Sequence, residues 1–346
     1  MKDNLVIFDV FPFLHIGEYV YKKYDRKVNG KMPCNGILHL LKRLSSEISL
    51  YNDVVLAFDS KSFRKGISSD YKGSRKPNNT VKAQADLLYE LLPKAGIACY
   101  RKDMFEADDL IYNIVNVQKD NYKSIEILGT DYDLTHNIIR PWIKFKSISS
   151  QVQSVDEKTF SYIMYDDVYL LYNTIAAYKV FCGDNSDGIK PFVTSDKKYK
   201  GKVLYNLYVN TLQKQKLEPE KTRSRTLLEY FINATKKLYS VSDLADLNTR
   251  MSLVFPAVSN QEDWTLTSNI RTFNKKVYLE LLRVFEDQVS AKSLGTRVYT
   301  VDINPEFMNI ASSMGDRLLS GEYAADNSRA LRSSPVNIDM KMCKEF

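Results

Sequence analysis

The sequence predicts an α/β fold, a mostly parallel sheet wrapped by helices, followed by a helical C-terminal region. Three observations predict it. Short apolar runs that close on an acid recur along the first 190 residues, as buried parallel strands do. Between them, apolar residues return at helical spacing. Beyond residue 190 the strand-like runs stop and helical patterns remain.

The strands come first. Leu5–Phe11 is an apolar run carrying Asp9, Asp53–Asp59 repeats the form and ends on Asp59, and Ser124–Asp131 repeats it again and ends on Asp131. In open α/β sheets the functional crevice lies at the carboxyl ends of the strands, so one rim is expected to gather the three acids. Among the helices, Ile37, Leu40, Leu41, Leu44 and Ile48 share one face. Leu87, Leu88, Leu91 and Leu92 share another, stopped by Pro93 and Gly96, and Leu110, Ile111, Ile114 and Val115 form a third. The stretch from about Ser60 to Thr80 has no clear period and holds Gly66, Gly73 and Pro77. An irregular insertion of about 20 residues between strand and helix is usually functional or disordered. Arg223–Leu238, Lys275–Gln288 and Pro305–Leu319 are expected helices, and the polar tail after Tyr323 is expected to be loose.

Composition excludes several classes. Of the 346 residues, 44% are hydrophobic and 26% charged, as in a protein with a sizeable core. The longest apolar runs, such as Leu5–Phe8, fall far short of the ~20 residues that span a bilayer. No signal-peptide pattern opens the chain, and a cytoplasmic setting is expected. The four cysteines are scattered without a C-x-x-C pair, which argues against zinc and against a disulfide framework. The formal charge is +7, and its distribution matters more than its size. Residues 62–82 carry six Lys/Arg against Asp70, and residues 197–237 carry eleven against three Glu. Basic stretches beside acidic clusters suit a polyanion that is gripped at several places and cut at one. Solvated faces and loops would read the same way on charge alone.

Carboxylates fall in five places: Asp9; Asp59; Glu106, Asp108 and Asp109; Asp131 and Asp133; Asp184 and Asp187. Singly, each could cap a turn or suit a helix dipole. Jointly they would repel one another unless cations intervene. Oxygen ligands without Cys or His point to Mg²⁺ or Mn²⁺, and two such ions about 4 Å apart suit phosphodiester hydrolysis. Glu106 and Asp109 lie i,i+3 on one helical face, as do Asp184 and Asp187. The histidines, His15, His39 and His136, have no ligand spacing.

The ordered motifs resemble the 5′→3′ exonuclease/flap endonuclease family and are most similar to phage RNase H-type 5′ nucleases. They stand as IFDVF around Asp9, AFDSKSFRK around Asp59, DYKGSRKPN from Asp70, FEADD from Phe105, GTDYDLT from Gly129 and CGDNSDGI from Cys182. The resemblance covers residues 4–190. It implies one metal group from Asp9, Asp59, Glu106 and Asp108, with Asp109 adjoining, and a second from Asp131, Asp133, Asp184 and Asp187. It also implies an arch over about 60–82 in which Lys72 approaches the scissile phosphate beside Tyr71 and Arg75. Two departures stand out. Val10-Phe11-Pro12 follows Asp9 where relatives carry Gly and then Asn or Ser. After Asp187 the G-x-G helix–hairpin–helix of relatives is missing, and the lysine-rich Ser195–Lys200 stands in its place.

The expected organisation is a catalytic domain over 1–190, a helical DNA-binding region over 191–323 and a flexible tail over 324–346. The expected activity is metal-dependent hydrolysis at a 5′ end, flap or nick of DNA or RNA–DNA, with a monomeric chain and replication proteins as partners. Catalysis is assigned to Lys72, Asp9, Asp59, Glu106, Asp108 and Asp131. Nucleic-acid binding is assigned to Arg64, Lys65, Tyr71, Lys72, Arg75, Lys76, Lys197, Lys198 and Lys200. The rival readings are a PIN-type ribonuclease and a non-catalytic junction-binding protein.

Overall fold

Leu5–Phe8 has no polar side chain to leave in water, and all four residues are buried in the first strand. The computed structural model describes residues 2–50, 53–149, 154–155, 162–165, 168–215, 223–259, 273–293 and 304–323. In chain order these begin β1 (Lys2–Asp9), α1 (Val10–Val20), β2 (Lys27–Val28), β3 (Met32–Pro33), α2 (Asn35–Leu50) and β4 (Asp53–Ala57). Next come α3 (Arg64–Ile67), α4 (Asn79–Leu91), β5 (Ala98–Tyr100), α5 (Ala107–Gln118), β6 (Tyr122–Gly129) and β7 (Ile143–Ser147). The remainder is β8 (Tyr162–Tyr165), β9 (Val168–Leu171), α6 (Ile175–Cys182), α7 (Gly201–Lys214), α8 (Ser224–Ala234), α9 (Val241–Val254), α10 (Lys275–Ser293) and α11 (Pro305–Leu319).

Contacts divide the described residues into two compact units that alternate along the chain, rather than at one cut near residue 190. The first unit draws on the described residues within Lys2–Asp59, Lys76–Lys102 and 273–323. In it β4 pairs in parallel with β1 and with β5, in a register that sets Asp9 opposite Ala57. Parallel strands need crossover helices, and α2 and α4 supply them. Helix α1 packs closely on α2 through a glycine pair. A β-carbon on Gly17 would lie 2.7 Å from Gly36 Cα, so only glycine permits that approach. Helices α10 and α11 pack on α2 and α4 of this unit.

The second unit draws on the described residues within Ser60–Arg75 and 103–259. Its β6 and β7 pair in parallel from Ile125↔Ile143 to Gly129↔Ser147, and β8 and β9 form an antiparallel hairpin. Helix α6 packs against α7, α8 and α9. Parallel strands flanked by helices are the expected fold class.

Boundaries differ from expectation where caps decide them. The run Leu5–Phe11 breaks at Asp9, because Val10 and Phe11 already turn into α1. The runs ending on Asp59 and Asp131 each leave the strand two residues earlier, at Ala57 and Gly129. Arg223–Leu238 divides into α8 and a 3₁₀ turn at Lys236–Leu238, while Pro305–Leu319 is α11. The tail over 324–346 lies outside the described residues. No described helix is long and apolar enough to cross a membrane.

Candidate active site

The acids of the first unit sit at the carboxyl ends of adjacent parallel strands. Asp9 closes β1 and opens α1, and Asp59 follows β4 by two residues. Asp9 is buried and Asp59 half-buried.

The second unit holds the remaining acids in two groups. The first stands at the start of α5. Glu106 is its N-cap, and Asp109 completes a capping box by accepting from the Glu106 backbone N–H at 2.9 Å. Both are buried, while Asp108 is half-buried. Glu106 Oε2 accepts from Arg64 Nη1 at 2.8 Å and from the Tyr71 hydroxyl at 2.9 Å, and Oε1 meets Lys72 Nζ at 2.5 Å. Burial would raise the Glu106 carboxyl, but Lys72 and Arg64 outweigh it and hold it down at about 2. Burial opposes the charge on Lys72 too, yet Glu106 prevails and its pKa rises. Lys72 has φ 50, a left-handed backbone that a non-glycine residue adopts only when its surroundings impose it.

The second group surrounds a lysine. Lys179 of α6 is 3% exposed, and its ammonium lies 2.7 Å from Asp133 Oδ2, 2.8 Å from Asp184 Oδ2 and 4.0 Å from Asp131 Oδ1. Asp131 caps the 3₁₀ turn Tyr132–Asn137 by accepting from the Asp133 N–H at 2.9 Å. Burial raises the Asp133 carboxyl, Lys179 pulls it down and Asp131 pushes it up again, leaving it at about 7. Burial acts on Asp184 as well, but Lys179 and hydrogen bonds from Ser186 hold it at about 2. Tyr165, at the end of β8, donates to Asp184 Oδ2 at 3.3 Å. Burial first, and then Lys179, lower His136 to about 3, so its ring is neutral near pH 7.

The loop Gly183–Ile189 is tied across its base by Asp184 and Ile189, whose backbones exchange hydrogen bonds of 2.7 and 2.8 Å. It also anchors the basic insertion. The Lys72 N–H donates to the Asp187 carbonyl at 3.0 Å, and Arg75 Nη2 lies 2.7 Å from Asp187 Oδ1. Gly188 has φ 74, and a side chain there would collide with the Asp70 carbonyl. Asp108, Asp131, Asp133 and Asp187 then line one cavity with Tyr71, Lys72 and His136, and Leu253, Val254 and Pro256 form its apolar wall.

Several expected residues therefore meet, and others do not. Lys65, Arg75, Lys76, Lys197, Lys198 and Lys200 are exposed, where phosphates can reach them. Arg64 and Tyr71 are 3% exposed, line the cavity and turn their polar groups to Glu106 rather than outward. Asp109 is 0% exposed, accepts bonds on both oxygens and does not line the cavity, so a metal would have to displace its present donors. Lys179, Tyr165 and the Leu253–Pro256 wall were not anticipated. A lone lysine within the apolar run Ile175–Cys182 was the available signal, since a buried cation requires partners. Nothing in the sequence marked Tyr165.

Among the described residues, no group of three or more His, Cys, Asp or Glu is arranged to hold a metal ion. Lysine and arginine occupy the spaces between the acids. The donor set still fits a hard cation. It is all oxygen, one carboxyl is raised to about 7 by burial and by like charges, and a buried Asp133 Oδ1 has no hydrogen-bond partner.

Residues 4–164 match the family described as 5′-3′ exonuclease, N-terminal resolvase-like domain. The chain is 26% identical over 303 residues to a DNA polymerase I of Caldicellulosiruptor bescii, covering 84% of this chain and 33% of the polymerase. It is 26% identical over 259 residues to a 5′-3′ exonuclease of Mycoplasma pneumoniae, covering 71% of this chain and 80% of that protein. The chain thus spans about a third of the polymerase and most of the smaller exonuclease. Among solved structures it is similar to the T5 D15 protein co-crystallised with metal ions, with TM-score 0.47, 16% identity, and coverage of 83% of this chain and 98% of that one. It is also similar to the catalytic core of Rad2 in complex with DNA substrate, with TM-score 0.44, 12% identity, and coverage of 84% and 89%.

Proposed function

We propose, on the premise that residues 4–164 belong to the 5′-3′ exonuclease N-terminal domain family, that this chain is a divalent-metal-dependent 5′ nuclease. Its substrate is DNA or RNA–DNA with a 5′ end, flap or nick. The observation that carries this reading is the cavity where Asp108, Asp131, Asp133 and Asp187 meet Lys72. Paired acids beside a cation suit a phosphodiester.

Glu106, Asp108, Asp131, Asp133, Asp184 and Asp187 are the residues that would hold Mg²⁺ or Mn²⁺. Such ions supply Lewis acidity and lower the pKa of water. The chain's own residues do the rest. The left-handed backbone at Lys72 and its N–H bond to Asp187 hold the residue in the cavity lining, where its ammonium, paired with Glu106, would offset charge on the reacting phosphate. Lys179 keeps Asp133 and Asp184 together before any ion enters. Lys65, Arg75 and Lys76 within the insertion, and Lys197, Lys198 and Lys200 before α7, hold phosphates by charge.

The test is cleavage of a 5′-labelled flap duplex before and after metal removal with EDTA, followed by Mg²⁺ restoration. Cleavage that disappears with EDTA and returns with Mg²⁺ supports the reading. Binding without cleavage under every metal condition would instead favour the junction-binding alternative, for which the pairing of the acids by Lys179 and Arg64 is the supporting observation.

A further inference from the structure

Arg64 uses its whole guanidinium. Nε donates to the Leu253 carbonyl at 2.9 Å. Nη1 donates to Glu106 and Asp109 at 2.8 Å each, and Nη2 donates to Asp109 at 2.7 Å and to the Phe255 carbonyl at 3.0 Å. Five N–H groups thus meet five acceptors, three on carboxylates and two on the backbone at the C-terminal end of α9, Leu253 in its last turn and Phe255 just beyond it.

That backbone is gripped twice more. Asp109 Oδ1 accepts from the Ala257 N–H at 2.7 Å. Asn113, one turn further along α5, donates to the Ala257 carbonyl at 2.7 Å and accepts from the Ser259 N–H at 2.9 Å. Leu253–Ser259 is therefore a strap whose polar groups are read in turn by side chains of α3 and α5. Leu253, Val254 and Pro256 of the same segment wall the cavity, which Arg64 also lines.

We propose that Arg64, Asp109 and Asn113 are positioning residues that, locked by the Leu253–Ser259 strap, hold Glu106 in its working orientation. This rests on the nuclease reading for what Glu106 does. It makes the segment after α9 a required part of the active centre, although that segment lies well beyond the matched domain of residues 4–164. The planar fork of Arg64 couples the two: Glu106 cannot turn without disturbing Asp109, and the strap cannot lift without exposing two guanidinium donors. A lysine at position 64 has three donors and cannot span the same acceptors.

The test uses the full chain with two substitutions, Asn113→Ala and Arg64→Lys. Asn113→Ala loosens the strap and leaves the ion pairs in place, so it keeps the test open if Arg64→Lys does not fold. Mn²⁺ affinity is measured by water-proton relaxation, thermal midpoints confirm folding, and single-turnover rates on a 5′-flap duplex are read at saturating substrate. Groups that orient metal ligands typically contribute about 10–100-fold to affinity or rate. Folded Asn113→Ala is expected to lose about tenfold in Mn²⁺ affinity or in rate, with the substrate KM unchanged, and Arg64→Lys more. Folded Asn113→Ala protein that keeps both at the wild-type value overturns the proposal, because a mere scaffold would change only the melting temperature. Wild-type protein that binds Mn²⁺ but cuts no flap would overturn the nuclease reading instead, and the Mn²⁺ comparison would still decide the role of the strap.

Discussion

The ammonium of Lys179 lies 2.7 Å from Asp133 Oδ2, and both side chains are almost wholly buried. A buried lysine in this setting serves two opposed ends. It makes the acids compatible without metal, and it occupies space that a cation would use. Removing one partner of a buried pair typically costs about 3–5 kcal/mol, because the other charge is left uncompensated. Lys179→Met should therefore lower the thermal midpoint of metal-free protein by several degrees. Added Mg²⁺ should raise that midpoint more in the variant than in the wild type, as the acids gain a replacement cation. Equal Mg²⁺ shifts in the two proteins would show that ions do not bind at these carboxylates.

Asp131→Asn separates chemistry from folding. The side chain is half-exposed and caps the turn through an oxygen that an amide also provides. Cleavage should fall by about 100-fold or more, in line with loss of a metal ligand. Stability without metal should hold or rise, because Asp131 is one of the charges that push the Asp133 carboxyl up. Near-normal cleavage in Mg²⁺ by pure variant protein would remove Asp131 from the catalytic set.

Lys72 and Lys76 belong to one basic stretch but have different surroundings. Lys76 is exposed, whereas Lys72 is half-buried against Glu106. Lys76→Ala should weaken binding and reduce the slope of affinity against salt by about 1, with the saturated single-turnover rate preserved. Lys72→Ala should lower that rate more than it weakens binding. It should also cost stability, contrary to what an exposed lysine would do, since Glu106 loses a buried partner. Side-by-side single-turnover rates that coincide would make the two lysines equivalent.

Calcium offers a control without mutation. Ca²⁺ fills oxygen sites with looser geometry than Mg²⁺. In Ca²⁺ the protein should retain a forked duplex in a mobility-shift experiment and cut it poorly. Full cleavage in EDTA, with metal removal verified by elemental analysis, would exclude a metal-dependent reaction.

By itself the sequence determined the elements and the order of the acids. Alternation of apolar runs and helical faces is local, so β1, β4, β6, α2, α4 and α5 were legible from spacing alone. The motifs around Asp9, Asp59, Glu106, Asp131 and Asp184 were likewise visible as an ordered set. Only the tertiary structure decided what those acids meet. Arg64 stands in a run of basic residues that reads as an exposed arch, yet its partners are Asp109, 45 residues on, and Leu253, 189 residues on. Lys179 reads as an outlier in an apolar helix until Asp133, 46 residues earlier, folds against it. The difference is physical. Periodicity reports which face of an element avoids water, a property of neighbouring residues. The fate of a buried charge depends on which distant group arrives to neutralise it, and only the packed chain brings the two together.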